Sequence, residues 1–123
     1  MLRVDSTSDV SLTEQIRRGI RRAISEGDVE PGDDLPPVRQ LAADLQVNLN
    51  TVARAYRELE REGLVSTVRG RGTVVAAERS RQRVPRGELR GRVRDLVADA
   101  RLSGYRRADI EKLVLKELRR GAW

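Results

Sequence analysis

The sequence contains no cysteine and no histidine. Without cysteine there is no disulfide framework, thiolate nucleophile or thiolate metal ligand. Without histidine there is no imidazole metal site and no histidine acid or base. Any catalysis would fall to carboxylates or hydroxyls. Lysine is scarce too, confined to Lys112 and Lys116, so arginine carries nearly all the positive charge. No segment approaches the length of a membrane span, and the opening residues lack the apolar stretch of a secretory signal. A cytoplasmic protein with no membrane partner is therefore expected.

The 123 residues suffice for one compact domain and an appendage. The net charge of +6 favours a polyanionic partner, whether nucleic acid, an anionic membrane surface or an acidic protein. A basic protein without such a partner would share that charge. The chain has 19 acidic residues, but Glu14, Glu58, Glu60, Glu62, Glu111 and Glu117 fall beside arginine or lysine on expected helix faces. Solvated ion pairing accounts for them. No catalytic residue, metal site or cofactor is expected, and the chain is not expected to be an enzyme.

Periodicity sets the order of elements. Leu2 and Val4 alternate with polar neighbours, as in a very short edge strand. Ser11 and Glu14 form a capping-box pattern ahead of a helix carrying Leu12, Ile16, Ile20, Ala23 and Ile24, which Gly27 ends. Glu30–Asp34 reads as a turn, and Leu35-Pro36-Pro37 as the approach to a second helix with Val38, Leu41, Ala42 and Leu45. Gln46 and Val47 make the next turn, and Asn48 is suited to cap a third helix bearing Val52, Ala55, Tyr56 and Leu59, closed at Gly63. Residues 64–68 and 73–75 read as a hairpin across the glycine-rich turn Arg69-Gly70-Arg71-Gly72. Three helices and a hairpin in this order outline a winged helix-turn-helix domain over residues 1–77.

Residues 78–87 form a polar, arginine-rich linker with Pro85 and Gly87. Over residues 88–123 a helix with Leu89, Val93, Leu96 and Val97 and a second with Ile110, Leu113, Val114 and Leu118 follow, broken at Ser103-Gly104. Two short amphipathic helices bury their apolar faces poorly alone. These eight residues are therefore candidates for a dimer interface. The expected fold class is mainly α with a small β-hairpin, a winged helix-turn-helix plus a two-helix dimerisation tail.

The third helix has the makings of a reader of DNA. A recognition helix presents small polar or forked side chains to base edges near its N-terminus. Asn48, Asn50, Thr51, Arg54 and Arg57 supply them, with Arg39 near the start of the preceding helix and Arg69, Gly70 and Arg71 at the hairpin tip. Asparagine pairs with adenine, arginine with guanine or phosphate, and threonine with phosphate or a thymine methyl. An ordinary amphipathic helix with a solvated face, a surface Arg39 paired with Asp44 and a generic glycine turn fit the same residues.

The segments Leu35–Ala42, Asn50-Thr51-Val52, Ala55–Leu59, Glu62–Val65 and Gly70–Val74 resemble the GntR family of bacterial transcription regulators. The short tail and the stretch from Asn48 to Tyr56 are similar to its YtrA-like subfamily. The resemblance implies DNA contact at Arg39, Asn50, Thr51, Arg54, Gly70 and Arg71, and a tail of two helices used for dimerisation. It also implies a homodimeric repressor on an inverted-repeat operator of double-stranded DNA, often beside ABC-transporter genes. Many GntR proteins have arginine at the positions of Leu49 and Ala53, so a different operator is expected. The tail is too short for the family's usual metabolite-binding domain, which leaves any small-molecule effector unknown. A nonspecific or architectural nucleic-acid binder is the alternative that the arginine-rich linker and hairpin would also serve.

Overall fold

A computed structural model describes residues 2–121; Met1, Ala122 and Trp123, which end the ranges expected above, lie outside the described residues. The described residues fall into two compact units, 2–82 and 83–121. No helix among them is long and apolar enough to cross a membrane.

The first unit begins with α1, Leu12–Glu26. Ser11 caps it, its hydroxyl oxygen accepting from the Glu14 amide at 3.2 Å. The reciprocal half of the expected capping box is not made. The Glu14 carboxylate instead accepts from Nε of Arg17 and of Arg18, each at 2.8 Å. Charge-assisted bonds from guanidinium outcompete one from a neutral amide. Gly27, at φ 80°, closes the helix in the left-handed conformation that glycine adopts without steric cost. Leu2 and Val4 form no strand. They pack as partly buried residues on the core, and Leu2 lies where a Cβ on Gly19 would stand, 2.0 Å from its Cδ1.

Helices α2, Val38–Leu45, and α3, Leu49–Arg61, follow, separated by a turn in which Gln46 is left-handed at φ 56°. Strands β1, Val65–Val68, and β2, Gly72–Val75, pair antiparallel with Val65 opposite Val75 and Val68 opposite Gly72. The turn before α2 is more than a loop. Gly32 donates to the Val75 carbonyl at 2.8 Å and Leu35 to that of Thr73 at 2.9 Å, while Val75 donates back to Asp33. Asp34 thereby bridges to Val74 and flanks the hairpin as a third extended segment. Three helices and a hairpin give the winged helix-turn-helix arrangement.

One core serves the whole unit. Ile16, Ile20 and Ile24 of α1 meet Leu41 and Ala42 of α2, Val52, Ala55, Tyr56 and Leu59 of α3, and Val65 and Val75 of the hairpin. Ile16, Ile20, Val52, Ala55 and Leu59 are fully buried. Around this core Arg17 bonds Glu62 at 3.0 Å and approaches Glu58 at 3.8 Å, and Arg21 also bonds Glu62. The acids expected as partners along one helix face thus tie α1 to α3. Beyond β2 a 3-10 turn, Glu78–Ser80, carries the chain back under the end of α3. There Gln82 donates to the Glu62 carbonyl at 3.0 Å. Gly63 sits at φ 74°, and a Cβ on it would stand 1.7 Å from the Ser80 carbonyl oxygen, so the crossing requires glycine twice over.

The second unit holds α4, Arg86–Leu102, and α5, Arg107–Leu118. Neither helix contains a buried residue. Leu89, Val93, Leu96, Leu113, Val114 and Leu118 are exposed, Leu113 at 58%, while Val97 and Ile110 are half-buried. The ion pairs Arg92–Glu88 and Arg107–Glu111 of this unit each stay within one helix.

The Arg17 and Arg18 partners hold the Glu14 carboxyl well below its ordinary 4.5, at about 2, with the Arg17 hydrogen bond the largest cause and partial burial opposing it. A carboxyl depressed on folding stabilises fully above its unfolded pKa and loses that contribution as pH falls through the folded one. Acid unfolding should therefore steepen between about pH 4.5 and pH 2, and Glu14→Gln should flatten that segment. Equal slopes for parent and variant in acid-denaturation curves would assign the loss to other groups.

Candidate nucleic-acid interface

Helix α3 has two faces of opposite character. Val52, Ala55, Tyr56 and Leu59 are buried, while Asn50, Arg54, Arg57 and Arg61 are exposed on the other side at helical spacing. The buried stripe anchors the helix in the core and leaves the other stripe facing outward. At the middle of the helix, Tyr56 donates its hydroxyl proton to the Pro36 carbonyl at 2.6 Å, and burial pushes its pKa up to about 12. That bond fastens α3 to the residue before the N-cap of α2. The prolines are thus an anchor as well as an entry to α2.

At the N-terminus of α3, Asn48 acts as the cap, its Oδ1 accepting from the Asn50 amide at 2.8 Å. Asn48 and Asn50 are exposed and Thr51 half-buried, and the Thr51 carbonyl accepts a long bond from the Thr13 hydroxyl of α1 at 3.4 Å. Arg54, Arg57 and Arg39 are exposed and make no ion pair among the described residues, so Arg39 is not held by Asp44. At the hairpin tip Gly70 and Gly72 take φ 81° and 107°, and Arg71 donates its amide to the Val68 carbonyl at 3.0 Å. Arg69 is exposed there without an ion pair among the described residues.

Arg71 differs. Its Nε donates to Asp34 Oδ1 at 2.7 Å and its Nη2 to the Gly32 carbonyl at 2.6 Å. The sequence reading offered no partner for it, because Asp34 lies 37 residues earlier. Two further features escaped that reading. Arg61 extends the exposed stripe one turn past Arg57, and the spacing alone could have shown it. Glu60 accepts from the amide and hydroxyl of Thr67, both at 3.0 Å, and so ties the flank of α3 to β1.

Comparison with known proteins agrees with this fold. The model of the gntR family of bacterial regulatory proteins matches residues 12–75. The HTH-type transcriptional repressor YtrA of Bacillus subtilis (strain 168) is 37% identical over 116 residues, covering 92% of this chain and 86% of that protein. A transcriptional antiterminator from Listeria monocytogenes EGD-e has a structure similar to this one at TM-score 0.82 and 30% identity, over 94% of this chain and 88% of its own. The DNA-binding domain of AraR, solved in complex with operator ORX1, matches at TM-score 0.54 and 27% identity over 61% of this chain and 93% of its own. These relatives are regulators and not enzymes.

The cap at Asn48 can be separated from any contact it makes with DNA. Asn48→Ala should cost about 1 kcal/mol of stability, whereas Asn48→Asp should retain it, since aspartate caps as well and suits the helix dipole. Denaturant midpoints that fall equally for both variants would remove the capping role.

Proposed function

Because the chain belongs to the GntR family of bacterial transcription regulators and carries its DNA-binding domain, we propose that it is a homodimeric repressor acting on an inverted-repeat operator. The observation that carries this reading is the exposed stripe of α3, polar and cationic, backed by a fully packed core. Asn50, Thr51 and Arg54 lie in the first turn and a half, where side chains reach base edges in the major groove. Arg39 and Arg57, beside them, bind phosphate, and Asn48 borders the same contact. Arg69, Gly70 and Arg71 bring the hairpin tip to the duplex. Arg61 stands about 16 Å along the helix from Asn50, where it meets the backbone instead of the bases.

Homodimerisation falls to the second unit. Its apolar side chains at Leu89, Val93, Leu96, Val97, Ile110, Leu113, Val114 and Leu118 lack a core of their own. A second copy of the same surface satisfies them isologously. Two-fold symmetry then places two copies of α3 against successive major grooves about 34–36 Å apart, so half-site centres lie about ten base pairs apart or at a multiple of that spacing. The regulated genes are proposed to be a transporter operon, on the strength of the YtrA-like resemblance, and the protein works in the cytoplasm beside its DNA.

Selection of bound sequences from random DNA tests the reading directly, and a nonspecific binder would return no consensus. On the selected site, Asn50→Ala should cost about 1–3 kcal/mol and relax one position, while Arg39→Ala should weaken all sequences alike and make the salt slope shallower by about one. Comparable losses on operator and random DNA for Asn50→Ala would remove its reading role. Sedimentation of the full chain carrying Leu96→Glu and Leu113→Glu should show a monomer. A persisting dimer would place the interface elsewhere.

A further inference from the structure

Arg71 is the one wing arginine whose charge is already answered, among the described residues. Its guanidinium is forked between the Asp34 carboxylate, 2.7 Å from Nε, and the Gly32 carbonyl, 2.6 Å from Nη2. Both side chains are largely solvent-exposed, at 51% and 62%. An exposed pair of this kind adds little to stability, about 0–1 kcal/mol. The turn it spans is also already stitched to β2 by the backbone bonds of Gly32 and Leu35. Holding the fold together is therefore a small part of what the pair does.

Its larger effect is on how Arg71 meets DNA. Arginine has five N–H donors, and the fork uses two of them, so the rest remain available in a fixed place. The charge of the pair is nonetheless close to neutral. Nonspecific attraction to duplex DNA depends on net positive charge and counterion release. A neutralised but positioned guanidinium adds little to that attraction, while offering ordered donors to a groove of the right shape. Arg69, on the same turn, keeps its charge unanswered among the described residues.

We propose that Asp34 is a positioning residue for specific recognition: by holding Arg71 it keeps the wing's hydrogen-bond donors in register and withholds their charge from nonspecific DNA. This rests on the operator-binding reading above. The test measures affinity for the selected operator and for random duplex across a salt series, using the full-length chain. Asp34→Asn should raise affinity for random DNA several-fold at low salt and steepen its salt slope by about one. It should also lower the ratio of operator to random affinity about tenfold, the loss expected for one ordered bond to a charged group. Arg71→Lys keeps the charge but cannot fork, and should lower the ratio in the same way. In an Arg71→Ala background, Asp34→Asn should no longer change the ratio. An unchanged ratio and slope in Asp34→Asn, or an equal fall of the ratio without Arg71, overturns the proposal. A parent protein with no preference for any sequence would instead overturn the operator-binding reading itself.

Discussion

Val52, Ala55, Tyr56 and Leu59 of α3 are packed by α1, α2 and β1 together, and the rest of the first unit is arranged around that contact. One helix has to fill the core with one face and present Asn50, Arg54 and Arg57 with the other. A helix only partly gripped would rock, and its exposed side chains would lose the fixed register that a binding surface needs. The grip is therefore made in three ways. Apolar burial fixes α3 along its length, the Tyr56 hydroxyl bonds Pro36 at its middle, and Arg17 and Arg21 converge on Glu62 at its end. The first supplies most of the stability, since burying a large side chain is worth about 1.5–3 kcal/mol. The polar contacts choose one orientation among those that burial would permit.

Charge is distributed with the same division of labour. On the side of α1 that faces α3, arginines are consumed by Glu14, Glu58 and Glu62. On the outward stripe, Arg54 and Arg57 are left unpaired among the described residues. A net charge of +6 is thus less informative than its location. Histidine is absent, so no side chain has an ordinary pKa between about pH 5 and pH 8. The field presented to a polyanion is consequently steady across that range.

Much of this was legible in the sequence, because local rules and tertiary packing agree. The stripe of α3, the Asn48 cap, the Gly27 stop and the glycine hairpin each follow from spacing and residue type, and the tail helices break at Ser103-Gly104 as their pattern indicates. What stayed hidden involves competition or distance. The Ser11–Glu14 box reads well locally, but two arginines one turn on claim the carboxylate. Leu2 and Val4 alternate like a strand, yet no neighbour offers them an edge, and they serve as packing instead. The turn at Gly32–Leu35 joins the hairpin because β2 presents free backbone groups there, a fact no local pattern records. The Asp34–Arg71 fork is hidden for the same reason.

The crossing at Gly63 has a mechanical consequence. The chain leaves the first unit only after passing beneath the last turn of α3, where Gln82 is tied to the Glu62 carbonyl. A tension applied at residue 83 is therefore shared, through the Gln82 amide, between the strand behind it and the end of α3. Because Arg17 and Arg21 grip the Glu62 side chain at that point, the load is shared at once with α1. Helix α3 is thus tied directly to the segment that leads out of the unit, and glycine at position 63 is what lets that segment pass so close.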